Sequence, residues 1–204
     1  MSRLTRPVGT VHHLPTVAFG VRDIMAWGTG AFMLIEGFTL VVCATVLVYL
    51  RKNYSMWPPE GTLRPDWVVP TVHVAFLLLT LPLVRAIDRH AHEWDLRRVR
   101  NGLTVLAMIC LASAGFRAWE LLRALHVKWS ENAYGSAQWL VVGSHATLIA
   151  VELVELVGMA LIFWLGPVER KHFSDAADVV VYWMFLVLSW IPLYVLSFLL
   201  PQWI

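Results

Sequence analysis

Charge and sulfur are scarce in this sequence. Only 15% of its 204 residues are Asp, Glu, Lys or Arg, and only two are cysteine. Two cysteines cannot build the disulfide framework of a small secreted domain. Cys43 and Cys110 both lie inside apolar runs, where they are expected to be buried small residues. A net charge of +2 without basic clusters offers nothing for nucleic acid to bind. The chain has no Gly-rich phosphate loop, no CxxC pair and no haem-attachment motif, and no catalytic constellation appears. This points to a subunit whose chemistry, if any, is done by a partner. There is no tandem repeat and no low-complexity tract. The stretch before Trp27 is polar, holds Pro7 and Pro15, and lacks the marks of a signal peptide, so the first apolar run is expected to direct insertion.

What the chain does have is apolar residues: 58% of the total, against the 45–50% usual for soluble domains. They fall into blocks. Runs at about 24–50, 67–87, 102–125, 137–165 and 177–200 each reach the roughly 20 residues that one helix needs to cross a bilayer. The fold class that follows is all-α, an integral membrane bundle of five transmembrane helices over 24–204, preceded by a segment 1–23. Together the helices and short loops use up this length, and no separate soluble domain is expected. Trp27, Trp57, Trp67, Trp94, Trp129, Trp139, Trp164 and Trp203 lie at or near run ends, as an aromatic belt at the headgroups would place them.

Basic residues set a direction. Arg3, Arg6, Arg22, Arg85, Arg89, Arg97, Arg98, Arg100, Arg170 and Lys171 fall on one side of the bilayer. Arg51, Lys52, Arg64, Arg123 and Lys128 fall on the other. The excess on the first side puts the N-terminal segment 1–23 in the cytoplasm and the C-terminus outside.

Ionisable residues inside the runs are the functional candidates. A charge at the centre of a span costs about 2.5–3.5 kcal/mol on insertion scales, so such residues turn towards other helices. They are Glu36, Arg117, Glu120, Glu152 and Glu155, joined by His73 and His145. Arg117 and Glu120 are three apart and share a helix face, as do Glu152 and Glu155, and His145 lies seven before Glu152. A polar seam between the third and fourth helices follows, with Arg117 paired to one of the glutamates. That seam can hold helices together or carry protons. Two histidines on different spans also permit haem ligation from both faces, which would make the chain a haem b anchor. The His90-Ala91-His92-Glu93 stretch is a metal hint best read as a solvated loop face.

Five motifs in order then bear a resemblance. Leu34-Ile35-Glu36-Gly37-Phe38 is followed by Trp57-Pro58-Pro59-Glu60-Gly61. Ala118-Trp119-Glu120 comes next, then Tyr134-Gly135-Ser136 with Gly143-Ser144-His145. Tyr182-Trp183-Met184-Phe185 with Trp190 closes the series. From about Met33 onward the chain resembles subunit III of the haem-copper oxidases, in the five-helix form of bacterial oxidases. It departs from that pattern at Leu148, where the family has a second His, and at Met184 and Val187, where it has His and Asp. Glu152 and Glu155 are additions.

The resemblance implies a non-catalytic subunit of a terminal oxidase of aerobic respiration, a translocase of the electron transport chain in the bacterial inner membrane. It implies packing on the catalytic subunit I, support for that subunit's proton uptake, haem and copper in partner subunits with none bound here, and a structural phospholipid. It also implies that Glu36, Glu120 and His145 are polar contacts to lipid or neighbouring helices. A subunit III-like protein of a nitric-oxide-reductase-associated complex, and a small proton-coupled transporter, are the alternatives beside the haem b anchor.

Overall fold

The computed structural model of the chain describes residues 24–203. The segment 1–23, with Arg3, Arg6 and Arg22, lies outside the described residues. Among the described residues there is no strand, and five helical stretches are long and apolar enough to cross a membrane. The first is α1 (Ile24–Asn53). The second is α2 (Val68–Leu79) continued by α3 (Leu81–His92). The third is α4 (Leu96–Trp119) with a π-helical turn at Glu120–Ala124. The fourth is α5 (Ala133–Leu165). The fifth is α6 (Arg170–Tyr194), a second π-helical turn at Val195–Leu199, and the short α7 (Leu200–Trp203).

The helices run past the apolar blocks, chiefly at their polar starts. Asp95 caps α4 by accepting from the Arg98 N–H at 3.0 Å, so that helix begins at Leu96 and not near Gly102. Asn132 does the same for α5, accepting from the Gly135 N–H at 2.7 Å. At the start of α6 the Glu169 N–H donates to His172 Nδ1 at 2.9 Å. The Glu169 carboxylate, bonded to the Lys171 ammonium at 3.0 Å, is held below the usual carboxylate range by that partner. Hydropathy marks where a helix meets hydrocarbon, whereas capping marks where it begins. At 1.5 Å per residue, the 30 residues of α1 span about 45 Å, well beyond a core of about 30 Å. The charged stretch from Asp88 is therefore mostly helix, and the turn between α3 and α4 is only Glu93–Asp95.

The second span is broken at Thr80. Pro82 has no N–H for the carbonyl four residues back, and its ring crowds that carbonyl. Beside that break the Thr80 hydroxyl donates to the Leu77 carbonyl at 2.6 Å, and it accepts from Trp183 Nε1 at 2.8 Å. A sequence irregularity thus becomes a fixed contact with α6.

The last span is the axis of the bundle. Half of its most apolar window is buried, against 17% for α1. α6 touches α1, α2, α3 and α5, while α4 packs on α3 and α5. Trp183 and Trp190 are fully enclosed. α1 stands at the periphery and turns Leu34, Ile35, Phe38 and Val41 outward. Two close approaches need glycine. A Cβ on Gly102 would sit 2.5 Å from Ile87 Cγ1, and one on Gly135 would sit 2.4 Å from the Lys128 carbonyl oxygen.

Most of the terminal tryptophans are exposed, among them Trp27, Trp67, Trp129, Trp164 and Trp203. Trp57 differs. It is buried, edge-on to Tyr134 with ring centroids 4.7 Å apart. The loop that carries it folds back onto the bundle: the Asp66 N–H donates to the Ala124 carbonyl, and Asn132 Nδ2 donates to Thr62 Oγ1. A run-end position shows only that a tryptophan is near the interface, while the loop's own bonds decide which way it turns. Both cysteines are buried and free.

Candidate functional site

The intramembrane ionisable residues sort into two clusters. The first joins α2, α4 and α6. Arg117 Nη1 bonds Glu120 Oε2, and the other oxygen of that carboxylate takes His73 Nδ1 at 3.0 Å. All three side chains are buried, at 1% exposure or less. The guanidinium lies 3.5 Å over the Trp190 ring, and His73 stacks on Phe116 with centroids 5.0 Å apart. Glu120 stands at the first position of the π-helical turn, and such turns recur at functional sites in helices.

His145 belongs to the same neighbourhood. Its ring packs on the other contact of Trp190, centroids 4.7 Å apart, and its Nε2 bonds the Leu186 carbonyl at 2.9 Å. A carbonyl only accepts, so Nε2 carries the hydrogen. The fourth helix therefore meets this cluster through His145, and not through its glutamates. Arg117 pairs with Glu120 on its own helix. The seam between third and fourth helices is extended by His73 from the second and by Trp190 from the fifth. A charged pair in hydrocarbon is tolerated because each member satisfies the other, and removing one leaves the other stranded.

The two histidines are each held at one ring nitrogen, His73 Nδ1 by Glu120 and His145 Nε2 by the main chain of α6, and their rings pack on Phe116 and Trp190. Their other nitrogens, His73 Nε2 and His145 Nδ1, have no hydrogen-bond partner among the described residues.

The second cluster lies between α1, α5 and α6. Glu36 Oε2 accepts from the Tyr182 hydroxyl at 2.5 Å. Glu152 is fully buried, and neither of its carboxylate oxygens has a hydrogen-bond partner among the described residues. Glu155 and Glu36 are near enough to couple to it electrostatically. Glu155, three residues on, lines a cleft with Thr29, Phe32, Asp178 and Tyr182.

His90 and His92 are engaged locally, His90 Nδ1 with Glu93 Oε2 at 3.0 Å and His92 Nδ1 with the Asp88 carbonyl at 2.8 Å. Among the described residues, no group of three or more His, Cys, Asp or Glu is placed to hold a metal ion.

Sequence reasoning missed Trp190 and Tyr182 as members of these clusters. Both sit in an apolar run and look like bulk. The usable signal is that a buried tyrosine or tryptophan carries a polar group that seeks a partner.

No protein-family model matches the chain. Individual proteins do. A protein of Triticum aestivum named cytochrome c oxidase subunit 3 is 24% identical over 186 residues, covering 90% of this chain and 70% of that one. A protein of the same name from Synechocystis is 24% identical over 190 residues, covering 89% and 78%. One from Zea mays is 26% identical over 184 residues, covering 85% and 66%. The chain is similar to cytochrome c oxidase subunit 3. The likeness extends over about nine-tenths of the chain, whose described residues hold five helices long and apolar enough to cross a membrane.

Proposed function

We propose that the chain is a subunit III of a haem-copper terminal oxidase, in a divergent five-helix bacterial form. It packs on the catalytic subunit I, stabilises it and supports its proton uptake. Haem and copper reside in partner subunits, and a phospholipid fills part of the contact. The chain lies in the bacterial inner membrane with its N-terminus cytoplasmic and its C-terminus outside. The observation that carries this reading is the likeness, over nine-tenths of the chain, to proteins named cytochrome c oxidase subunit 3. One further feature supports it. The outward face of α1, with Leu34, Ile35, Phe38 and Val41, is apolar enough for lipid or a partner helix.

The test is purification of the tagged chain from its native membrane in mild detergent. An oxidase subunit brings haem-containing partners and their Soret band with it. A chain that comes alone and colourless overturns the reading in favour of a transporter. A Soret band on the chain alone would instead favour a haem b anchor.

Glu36 supplies a second check. A glutamine there keeps an oxygen to accept from Tyr182 but removes the carboxylate. In the intact oxidase, Glu36→Gln is expected to leave the initial rate of electron transfer unchanged and to shorten the time over which activity persists. Complete loss of turnover in an intact complex would contradict it.

A further inference from the structure

The carboxylates of the second cluster are arranged for exchange with one face of the membrane. Glu36 lies twelve residues from the start of α1, Tyr182 twelve from the start of α6, and Glu152 thirteen from the end of α5. All three ends are on the same side, so the groups share a depth of about 18–20 Å at 1.5 Å per residue. Glu155 is nearer that side by one turn.

Two clefts lie between this depth and the membrane face; Glu155 and Tyr182 line the deeper one, and Glu152 sits one helical turn behind Glu155. The deeper one, about 280 Å³, is lined by Gly28, Thr29, Phe32, Glu155, Asp178 and Tyr182. The outer one, about 180 Å³, is lined by Thr29, Asp88, His92, Ser174 and Asp178 among others. Thr29 and Asp178 line both, so only these side chains need move to join the clefts.

Three acidic side chains alone would not make a site. Glu152 is the independent observation: a fully buried carboxylate with both oxygens unpartnered among the described residues, one helical turn from Glu155 and electrostatically coupled to Glu36. The titratable groups of the described residues that bear on it are Glu36 on α1, Cys110 on α4, Glu155 on α5 itself and Tyr182 on α6, with Asp178 of α6 facing Glu155 across the cleft. None of them is a cation. Three ionised carboxylates cannot share a low-dielectric space, and the nearest arginine cluster has already spent its charge on Glu120. A metal cation would need five or six oxygens, and the helix carbonyls here are engaged in their own i to i−4 bonds. A proton needs only the carboxylates.

We propose that Glu152, Glu155 and Glu36, with the Tyr182 hydroxyl, form an intramembrane proton-binding site that exchanges with the face carrying Asp88 and His92. A hydronium ion reaching the clefts gives its proton to a carboxylate oxygen and leaves as water, and the carboxylate becomes a neutral carboxylic acid. Release is the reverse. On the orientation proposed above, this face is cytoplasmic. The inference deepens the proton-uptake part of that reading and rests on it for direction only.

The test uses the full chain alone in lipid nanodiscs, so it fails or succeeds apart from oxidase membership. Infrared spectra at neutral pH are expected to contain a protonated-carboxyl band that shifts in D2O. Glu152→Gln should abolish it. Glu152→Asp, a milder change if the glutamine variant folds poorly, should move it. Thr29→Leu should slow its exchange with D2O severalfold while leaving its position unchanged. Absence of the band, or its persistence unchanged in both Glu152 variants, overturns the site. Unaltered exchange in Thr29→Leu overturns the route. Loss of the band on adding sodium at constant pH identifies a metal-cation site and overturns the proton assignment.

Discussion

Replacing Glu120 with alanine is expected to destabilise the chain by about 3–5 kcal/mol, the cost of stranding one member of a buried ion pair. The carboxylate has two partners, and both are enclosed. Arg117 would keep its charge with only the Trp190 face against it, and two of its guanidinium nitrogens already lack a partner in the protein. His73 would lose the bond that fixes its Nδ1. Arg117→Ala should cost a similar amount for the mirror-image reason. The diagnostic variant is the double replacement Arg117→Met with Glu120→Met. It removes both charges together and keeps the volume, and it is expected to recover most of the loss. Thermal or denaturant unfolding of the four proteins in one detergent checks this. If the double variant is as unstable as the sum of the single ones, the two side chains are not a mutually compensating pair.

Trp190→Ala is expected to cost a further large amount, about 3–5 kcal/mol by the usual range for deleting a buried aromatic. Trp190 is where the polar and apolar halves of the core meet. Its ring carries the Arg117 guanidinium on one contact and the His145 imidazole on another, with Phe198 edge-on at 6.4 Å. In lipid the hydrophobic drive between helices is absent, but the packing contacts and the cation–π attraction remain, and a cavity forfeits both. Trp190→Phe keeps an aromatic face and should cost well under half as much. Unfolding midpoints of the two variants against the parent protein test this. Equal losses would mean that the indole's extra ring and its contact with Arg117 contribute little.

How much of this is legible without coordinates depends on the kind of information. The five spans are readable because hydrocarbon imposes one length and one composition on any helix that crosses it. Their starts are less so, because Asp95, Asn132 and Glu169 lie outside the apolar runs and act by hydrogen bonds, not hydropathy. The break at Thr80 is implicit in Pro82, but only the Trp183 indole shows what it is for. For the candidate site, spacing alone places Arg117 beside Glu120, since three residues along a helix are neighbours whatever surrounds them. It also places Glu152 beside Glu155. It is silent on Tyr182 meeting Glu36 across 146 positions of chain, and on Trp190 lying between Arg117 and His145.

The sequence by itself therefore determined a multi-span helical protein with costly charges inside its helices, because local periodicity and transfer free energy act on each segment separately. Which of those charges compensate each other, and which is left with only other carboxylates near it, was decided by the tertiary structure. That outcome depends on how the last helix is threaded among its neighbours. Arg117 and Glu152 come from adjacent spans of similar character, yet one is paired with an opposite charge in its own cluster and the other is not. The difference is the face each turns to α6, where Trp190 meets the first and Tyr182 lies near the second.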